Sequence, residues 1–422
     1  MKKALPLILS LVVFLGLIVL VTILRTTGEE PAVVKKPEVS RAPIVHPPTG
    51  LAFDWESLAA YHETISADEL HFLLEEVYTV DDTWKQVISI DAETATIETS
   101  DHPFELRLRR LELPPPAEVN RYWHPATTLA DLHIAIDPGH IGGDFAGIEE
   151  RQFGKPGDRP VREGELTLTT ALHLKPLLEA MGATVSLVRK TNAPVTAKRA
   201  DDFLGLYRDF NPGWPDALLR PYAEQRFYRR DEIVERARIV NEEIQPDLVL
   251  CLHYNASSGS GEWASPNQPV LVEENHFHLL LNGAYTVGEV LDEENRFQML
   301  ERILQRIHEE EASLSAVMAD VFAGRTGLEP YAYDPESKRA RNVDGHPYLW
   351  ARNLLANRSY TCPVIFFEPW VMNNTDTYAW IQEGDYGGER VVNGRSRPSI
   401  MRVYAEAVAA GMSAYYSAPR EK

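Results

Sequence analysis

From about residue 130 onward, short apolar runs alternate with segments whose apolar residues recur at helical spacing. LHIAID ends at the turn Pro138, Gly139, His140. The spacing then predicts a helix from Glu165 to about Met181, with Leu166, Leu168, Ala171, Leu174, Leu177 and Leu178 on one side. Gly182 stops it, and TVSLVR reads as the next strand. Another helix is predicted over about Arg230 to Ile244, followed by the buried strand DLVLCLHYNAS. PVIFFEP reads as a later strand, and Ser399 to Tyr416 as a closing helix. This alternation admits few architectures: an α/β fold with a twisted, mostly parallel sheet and helices on both faces. Ligands of such sheets bind beyond the carboxyl ends of the strands. His140, His253 and Glu368 all stand at those ends.

The chain before this domain divides into three parts. Residues 1–25 read as a membrane anchor: Lys2 and Lys3 precede an uncharged apolar run from Ala4 to Leu24. As a helix, that run reaches roughly 30 Å, the thickness of a bilayer core. It lacks a small-x-small cleavage site and a lipobox cysteine. A single-pass anchor is therefore predicted in the inner, cytoplasmic membrane. The two lysines stay inside, and the rest of the chain lies on the periplasmic or extracytoplasmic side. Residues 26–50, rich in proline and mixed charge, form a linker. Residues 51–125 form a small α+β module. SADE at Ser66–Glu69 has the form of a helix start, with Leu70, Phe72, Leu73, Val77 and Tyr78 following. VISIDAETATIETS and FELRLRRLEL alternate like strands. The module reads equally as a docking unit or a structural cap. Pro114, Pro115 and Pro116 mark its far boundary.

The formal charge of -20 argues against a nucleic-acid partner, which requires clustered Lys and Arg. Two cysteines, Cys251 and Cys362, make no disulfide framework. Both lie in or beside apolar runs and read as buried thiols, with one disulfide between neighbouring strands left open.

Three stretches, IAIDPGHIGGD (134–144), EGELTLTTALHLKPLLEAMGATVSLVRKTN (163–192) and RARIVNEEIQPDLVLCLHYNAS (236–257), resemble the zinc-dependent N-acetylmuramoyl-L-alanine amidases of the cell wall. CPVIFFEPWVMNN (362–374) resembles the family's closing segment. They occur in the family's order and cover most of its sheet. The resemblance implies one Zn2+ per catalytic domain, held by His140, Glu163 and His253, with Glu368 moving the proton. Glu163 is chosen over Glu165 because Leu166 and Leu168 then fall at the family's apolar positions. The implied reaction is hydrolysis of the amide between N-acetylmuramic acid and L-alanine in peptidoglycan. An activator protein is a possible partner.

The chemistry of these residue types agrees. Two imidazoles and a carboxylate suit zinc and leave a fourth position open. A carboxyl between PVIFF and PW has apolar flanks that raise its pKa towards usefulness in proton transfer. Three weaker candidates accompany them. Asp137 could orient a ligand histidine or simply end its strand. Asn255, two residues after His253, could contact substrate. Arg352 could read a stem-peptide carboxylate or form a structural ion pair. His124, His173, His276, His278, His308 and His346 show no comparable setting. The net charge gives no help in binding an acidic polymer, so substrate contacts must be local.

The catalytic domain, 130–418, carries segments beyond the family core at 145–162, 193–229 and 258–350. Within the last, helices are predicted at about Glu293–Ala312 and Ser313–Gly324. The acidic run Glu309, Glu310, Glu311 could block the zinc, or be a solvated face. Trp214, Tyr222, Phe227 and Tyr228 could line a glycan groove, or pack the insertion. Two other readings remain beside the amidase. One is a zinc amidohydrolase or peptidase acting on a different amide. The other is a non-catalytic wall-binding protein, which predicts a lost ligand or acid/base group, although all four positions are filled.

Overall fold

The computed structural model describes residues 43–47, 53–110, 128–257 and 269–417. The apolar segment Ala4–Leu24, most of the linker, Pro114–Pro116 and His124 lie outside the described residues. Among the described residues no helix is long and apolar enough to cross a membrane. The chain divides at His46, and the unit that begins at Pro47 holds everything below.

Three antiparallel strands form a small sheet: β1 (Ile88–Ile90), β2 (Thr94–Ile97) and β3 (Phe104–Arg107). Before it comes helix α1 (Ala67–Leu73). The Ser66 hydroxyl accepts from the Glu69 N–H at 3.3 Å, and Glu69 Oε2 accepts from the Ser66 N–H at 2.8 Å. This is the reciprocal cap that SADE predicts. Leu70, Leu74, Val77 and Tyr78 are buried, but Phe72 points outward, 59% exposed. Two residues beyond Leu70 lies the far side of a helix, so the apolar stripe excludes it.

The main sheet has eight strands. They are β4 (His133–Pro138), β7 (Thr184–Leu187), β8 (Leu248–Leu252), β9 (His276–Leu281), β10 (Glu329–Pro330), β11 (Arg341–Asn342), β12 (Leu349–Ala351) and β13 (Val364–Pro369). The short hairpin β5 (Gln152–Phe153) and β6 (Val161–Arg162) lies outside it. The order is β11-β12-β9-β13-β8-β4-β7, with β10 beside β9. β7, β4, β8 and β13 run parallel, as the alternation predicts. β9 pairs antiparallel with β13 in the middle of the sheet. The stretch 258–350, read from sequence as one insertion, therefore supplies four strands of the sheet. HFHLLL opens with two histidines, and this masked its character as a buried strand.

Alternate side chains on each strand build two cores. Ile134, Ile136, Leu250, Leu252, Leu279, Leu281, Ile365 and Phe367 face α2 (Glu163–Ala180), a helix at Ile307–Thr326, and the closing helix at Ile400–Ser417. Ala135, Val249, Cys251, Leu280, Val364 and Phe366 face the other side, with Ala237, Val240 and Tyr360. A hairpin of α3 (Ala200–Phe210) and α4 (Asp216–Arg226) precedes α5 (Glu232–Arg238) on that second side. Cys251 and Cys362 are both buried, and neither forms a disulfide among the described residues. Cys251 stands opposite Phe366, four positions along the strand from Cys362, so the register keeps the two thiols apart.

The two helices predicted at Glu293–Ala312 and Ser313–Gly324 are α6 (Glu293–Leu304) and α7 (Ile307–Thr326), with the break earlier than predicted, and the closing helix is α8 (Ile400–Ser417). The break falls at Arg306, whose backbone is left-handed (φ 54°). Its guanidinium is drawn to Glu69 at 3.1 Å and Glu309 at 2.8 Å. Glu309 is its i+3 neighbour, whereas Glu69 lies far away in sequence, outside any local helical pattern. Phe297, Leu300, Ile303 and Leu304 of α6 share one core with Leu74, Tyr78, Ile97 and Leu106 of the N-terminal module.

Candidate active site

Three chain turns meet at the carboxyl ends of β4 and β8. β4 runs into Pro138-Gly139-His140, where His140 takes a left-handed backbone (φ 58°). β8 delivers His253 directly after Leu252. Glu163 opens α2, two positions before the predicted start. The turns fit because side chains are missing. A Cβ on Gly139 would overlap the His253 ring, and one on Gly164 would overlap the Ile141–Gly142 backbone.

His140 Nε2 lies 3.1 Å from Glu163 Oε2, and His253 Nδ1 lies 3.2 Å from Glu163 Oε1. One donor atom from each of the three residues falls within 4.8 Å of the others. The His253 ring stacks on Phe366 at 4.3 Å, and the Tyr254 N–H donates to Glu163 Oε1 at 3.1 Å. Burial opposes ionisation of Glu163, but the charge and hydrogen bonds of His140 and His253 hold its carboxyl well below the usual range. Burial likewise pulls His140 down, and Glu163 and Glu149 overcome it, raising it to about 9. Burial lowers His253. The cluster thus concentrates negative charge on one carboxylate and takes up a proton to offset it. A dication held there would supply positive charge beside that carboxylate in place of the proton. Two imidazole nitrogens and a carboxylate oxygen facing an open cavity fit zinc, the fourth position being left to solvent or substrate.

The cavity is about 410 Å3 and is lined by His140, His253, Glu368, Arg352, Arg151 and Tyr228, among others. Glu368, on β13, enters it beside the cluster. Burial first, and the Glu163 charge second, push its carboxyl up to about 8. A group in that range can both accept and give a proton near neutrality. Arg352 also enters the cavity, where its Nη1 donates to Tyr333 Oη at 3.3 Å. Structure and sequence agree in bringing His140, Glu163, His253, Glu368 and Arg352 together.

The two weaker candidates do not play the parts the sequence suggests, although Asp137 also lines the cavity. Asp137 faces neither histidine: Arg236 Nη1 donates to its Oδ1 at 2.9 Å and the Tyr360 hydroxyl to its Oδ2 at 2.6 Å. The carboxylate beside His140 is Glu149, 3.6 Å from Nδ1, which also accepts from the Ile141 N–H at 2.8 Å and the Gly142 N–H at 3.2 Å. β4 sends Asp137 to the α5 side, and the turn after it reverses direction before His140. Asn255 does not line the cavity. Its Oδ1 accepts from the Ala256 N–H at 2.7 Å, because the strand ends at Leu252 and the period of two no longer holds.

The acidic run does not approach the His140–Glu163–His253 cluster. Glu311 is fully buried, pairs with Arg302 and accepts from the Val364 N–H at 2.8 Å. Glu310 is buried beside Tyr416, and Glu309 binds Arg306. Of the four aromatics in the second insertion, Tyr228 reaches the cavity. Phe227 packs on Phe145 and Tyr222 on Tyr207.

Residues that sequence reasoning missed hold the turns in place. Arg189, 1% exposed, donates to the Gly164 carbonyl at 2.7 Å and the Thr191 carbonyl at 2.8 Å. Arg236 Nη2 donates to the His140 carbonyl at 2.7 Å, and Nη1 to the Pro138 carbonyl at 2.7 Å. Both stand inside the matched stretches, so each arginine there was a signal open to the reader. Glu149 carried none, since it is one of two adjacent glutamates in an insertion.

Residues 134–394 match the family model described as N-acetylmuramoyl-L-alanine amidase. A Staphylococcus saprophyticus protein described as "probable cell wall amidase LytH" is 36% identical over 88 residues. Those residues are 20% of this chain and 28% of that protein, so the match spans little more than a quarter of the relative. Among solved structures, the N-acetylmuramyl-L-alanine amidase Ami1 from Mycobacterium abscessus is 17% identical, with a TM-score of 0.39 over 68% of this chain and 99% of that one. The CwlD amidase from Clostridioides difficile, solved in complex with the GerS lipoprotein, is 12% identical, with a TM-score of 0.37 over 68% and 99%.

Proposed function

Because the chain belongs to the N-acetylmuramoyl-L-alanine amidase family, we propose that it hydrolyses the amide between N-acetylmuramic acid and L-alanine in peptidoglycan, with a zinc ion held by His140, Glu163 and His253. The observation that carries this reading is the clustering of those three donors beside a cavity that His140, His253 and Glu368 line. A zinc ion so held supplies a Lewis acid for the scissile carbonyl and for the attacking water. Glu368 takes a proton from that water as its oxygen bonds to the carbonyl carbon. The same carboxyl then gives the proton to the departing nitrogen as the C–N bond breaks, leaving a free amine on L-alanine and a carboxylate on the lactyl group. Arg352 offers a cation to a carboxylate on the stem peptide. We place the active site outside the cytoplasmic membrane, tethered by residues 1–25.

The test is digestion of purified peptidoglycan by the chain from Pro47 onward, with products identified by mass. Free stem peptides beginning with L-alanine, beside intact glycan strands, support the reading. Cleavage within the peptide shows that a different amide is the substrate. No release from zinc-loaded protein, with or without candidate activators, refutes it.

A further inference from the structure

A line of polar contacts, buried from Arg302 inward, leads from the N-terminal module to the turn that carries His140. It passes through α6. The module grips one side of this helix: Trp55 Nε1 donates to Glu293 at 2.9 Å, the Ser100 N–H donates to it at 3.1 Å, and Arg296 Nη2 donates to the Glu98 carbonyl at 2.8 Å. On its other side Arg302 is 1% exposed. It donates to the Tyr360 carbonyl at 2.6 Å and pairs with Glu311. Glu311 in turn accepts from the Val364 N–H, at the start of the strand that bears Glu368. Tyr360 is fully buried and its hydroxyl donates to Asp137. Asp137 accepts from Arg236, and Arg236 donates to the His140 carbonyl.

His140 needs such a hold. A left-handed backbone is unfavourable for a residue with a Cβ and persists only where its surroundings over-determine it. Arg236 fixes two carbonyls of the turn, at Pro138 and His140. Glu232 and Asp137 keep Arg236 in place, and the Asp137 carboxylate accepts from both Arg236 and Tyr360. Burial raises the Tyr360 phenol well above its usual range, so it remains a donor.

We propose that Tyr360 is a positioning residue, which ties the Asp137–Arg236 pair beneath the metal-binding turn to Arg302 and so brings that turn under the grip of the N-terminal module. The proposal rests on the reading of His140 as a metal ligand. It gives residues 53–110 and α6 a supporting role at the site, opposite in sign to a blocking one.

The experiment uses the full chain with Tyr360→Phe, which keeps the ring and removes one hydrogen bond. Two quantities are read: Zn2+ affinity, and amide hydrogen exchange over residues 139–142 in metal-free protein. The expected result is Zn2+ binding weakened about 10–100-fold, the usual range for a lost supporting contact, with faster exchange over 139–142 and a folded protein. A second variant, Arg302→Met with Glu311→Leu, removes both buried charges together so that neither is left unpaired. It should quicken exchange over the same residues, and adding Tyr360→Phe to it should give less than the sum of the two effects. Exchange and affinity both unchanged in folded Tyr360→Phe overturn the proposal, as does tighter Zn2+ binding. Faster exchange in a protein whose parent binds no Zn2+ would refute the metal reading while leaving the positioning role standing. If the double variant does not fold, Tyr360→Phe decides alone.

Discussion

At Gly139 the absence of a side chain is what allows two ligand turns to touch, since a Cβ there would overlap the His253 ring. Gly139→Ala should therefore push His253 off Phe366 and weaken Zn2+ binding by at least about tenfold, the lower end of what a lost supporting contact costs. Titration calorimetry with unchanged far-UV circular dichroism would show it, and parent-like affinity would mean that the ring can move without harm. Glu368 presents a different case, in which the chemistry and not the packing is at stake. Glu368→Gln keeps the shape and hydrogen-bonding reach of the side chain but cannot carry the proton. Its kcat on peptidoglycan should fall about 10^2–10^4-fold, while Zn2+ affinity stays near that of the parent. A variant retaining most of its turnover would remove Glu368 from the mechanism. Both residues were legible in sequence, because a Pro-Gly-His turn and a Glu after an apolar run stand in matched stretches. Glu149 was not legible, because its closeness to His140 arises from the path of the loop after the turn.

Among the elements, α6 is the one whose meaning changed most between sequence and structure. Its acidic neighbours suggested a plug for the site, yet Glu311 and Glu310 lie in the interior and Glu309 binds Arg306. The apolar residues of α6 fill the core of the N-terminal module instead. Leu300 is 1% exposed in that core. Leu300→Ala should destabilise the protein by about 2–5 kcal/mol, the range for a buried leucine that leaves a cavity. Urea denaturation would measure it. Because the core is shared, fluorescence of Trp55 and Trp84 should report the same shifted midpoint as helical signal from the sheet domain. A module transition that moved alone, with the rest at its parental midpoint, would show that the two parts are not one cooperative body.

For the whole molecule, His308 links stability to pH. It sits on α7, and its ring meets Tyr78 of the module edge-on at 6.2 Å. Its Nδ1 is buried and, among the described residues, has no hydrogen-bond partner. Burial lowers its pKa to about 4. In the unfolded chain it takes up a proton below about 6.5, while in the folded state it stays neutral down to about 4. The contribution is therefore constant above pH 6.5 and is lost steadily as pH falls from 6.5 towards 4. His308→Gln should flatten the fall in unfolding free energy over that window relative to the parent. Parallel curves for the two proteins would contradict the assignment. His278 is also buried and held neutral, so part of the slope should persist in the variant.

The sequence by itself determined the α/β class and the strands β4, β7, β8 and β13 of a mostly parallel sheet, and the family resemblance of its matched stretches singled out His140, Glu163, His253 and Glu368 as the candidate cluster. The strands depend on local information: apolar alternation sets them, and turn residues set their ends, beyond which the ligands of such sheets bind. Tertiary structure alone decided the placement of β9 between β13 and β12, the choice of Glu149 over Asp137 beside His140, and the turning of Glu310 and Glu311 inward. Each of these depends on which distant segment arrives as a neighbour. Asp137 shows the reason most directly: its partners Arg236 and Tyr360 come from α5 and from the approach to β13, and no spacing along the chain announces that they will meet.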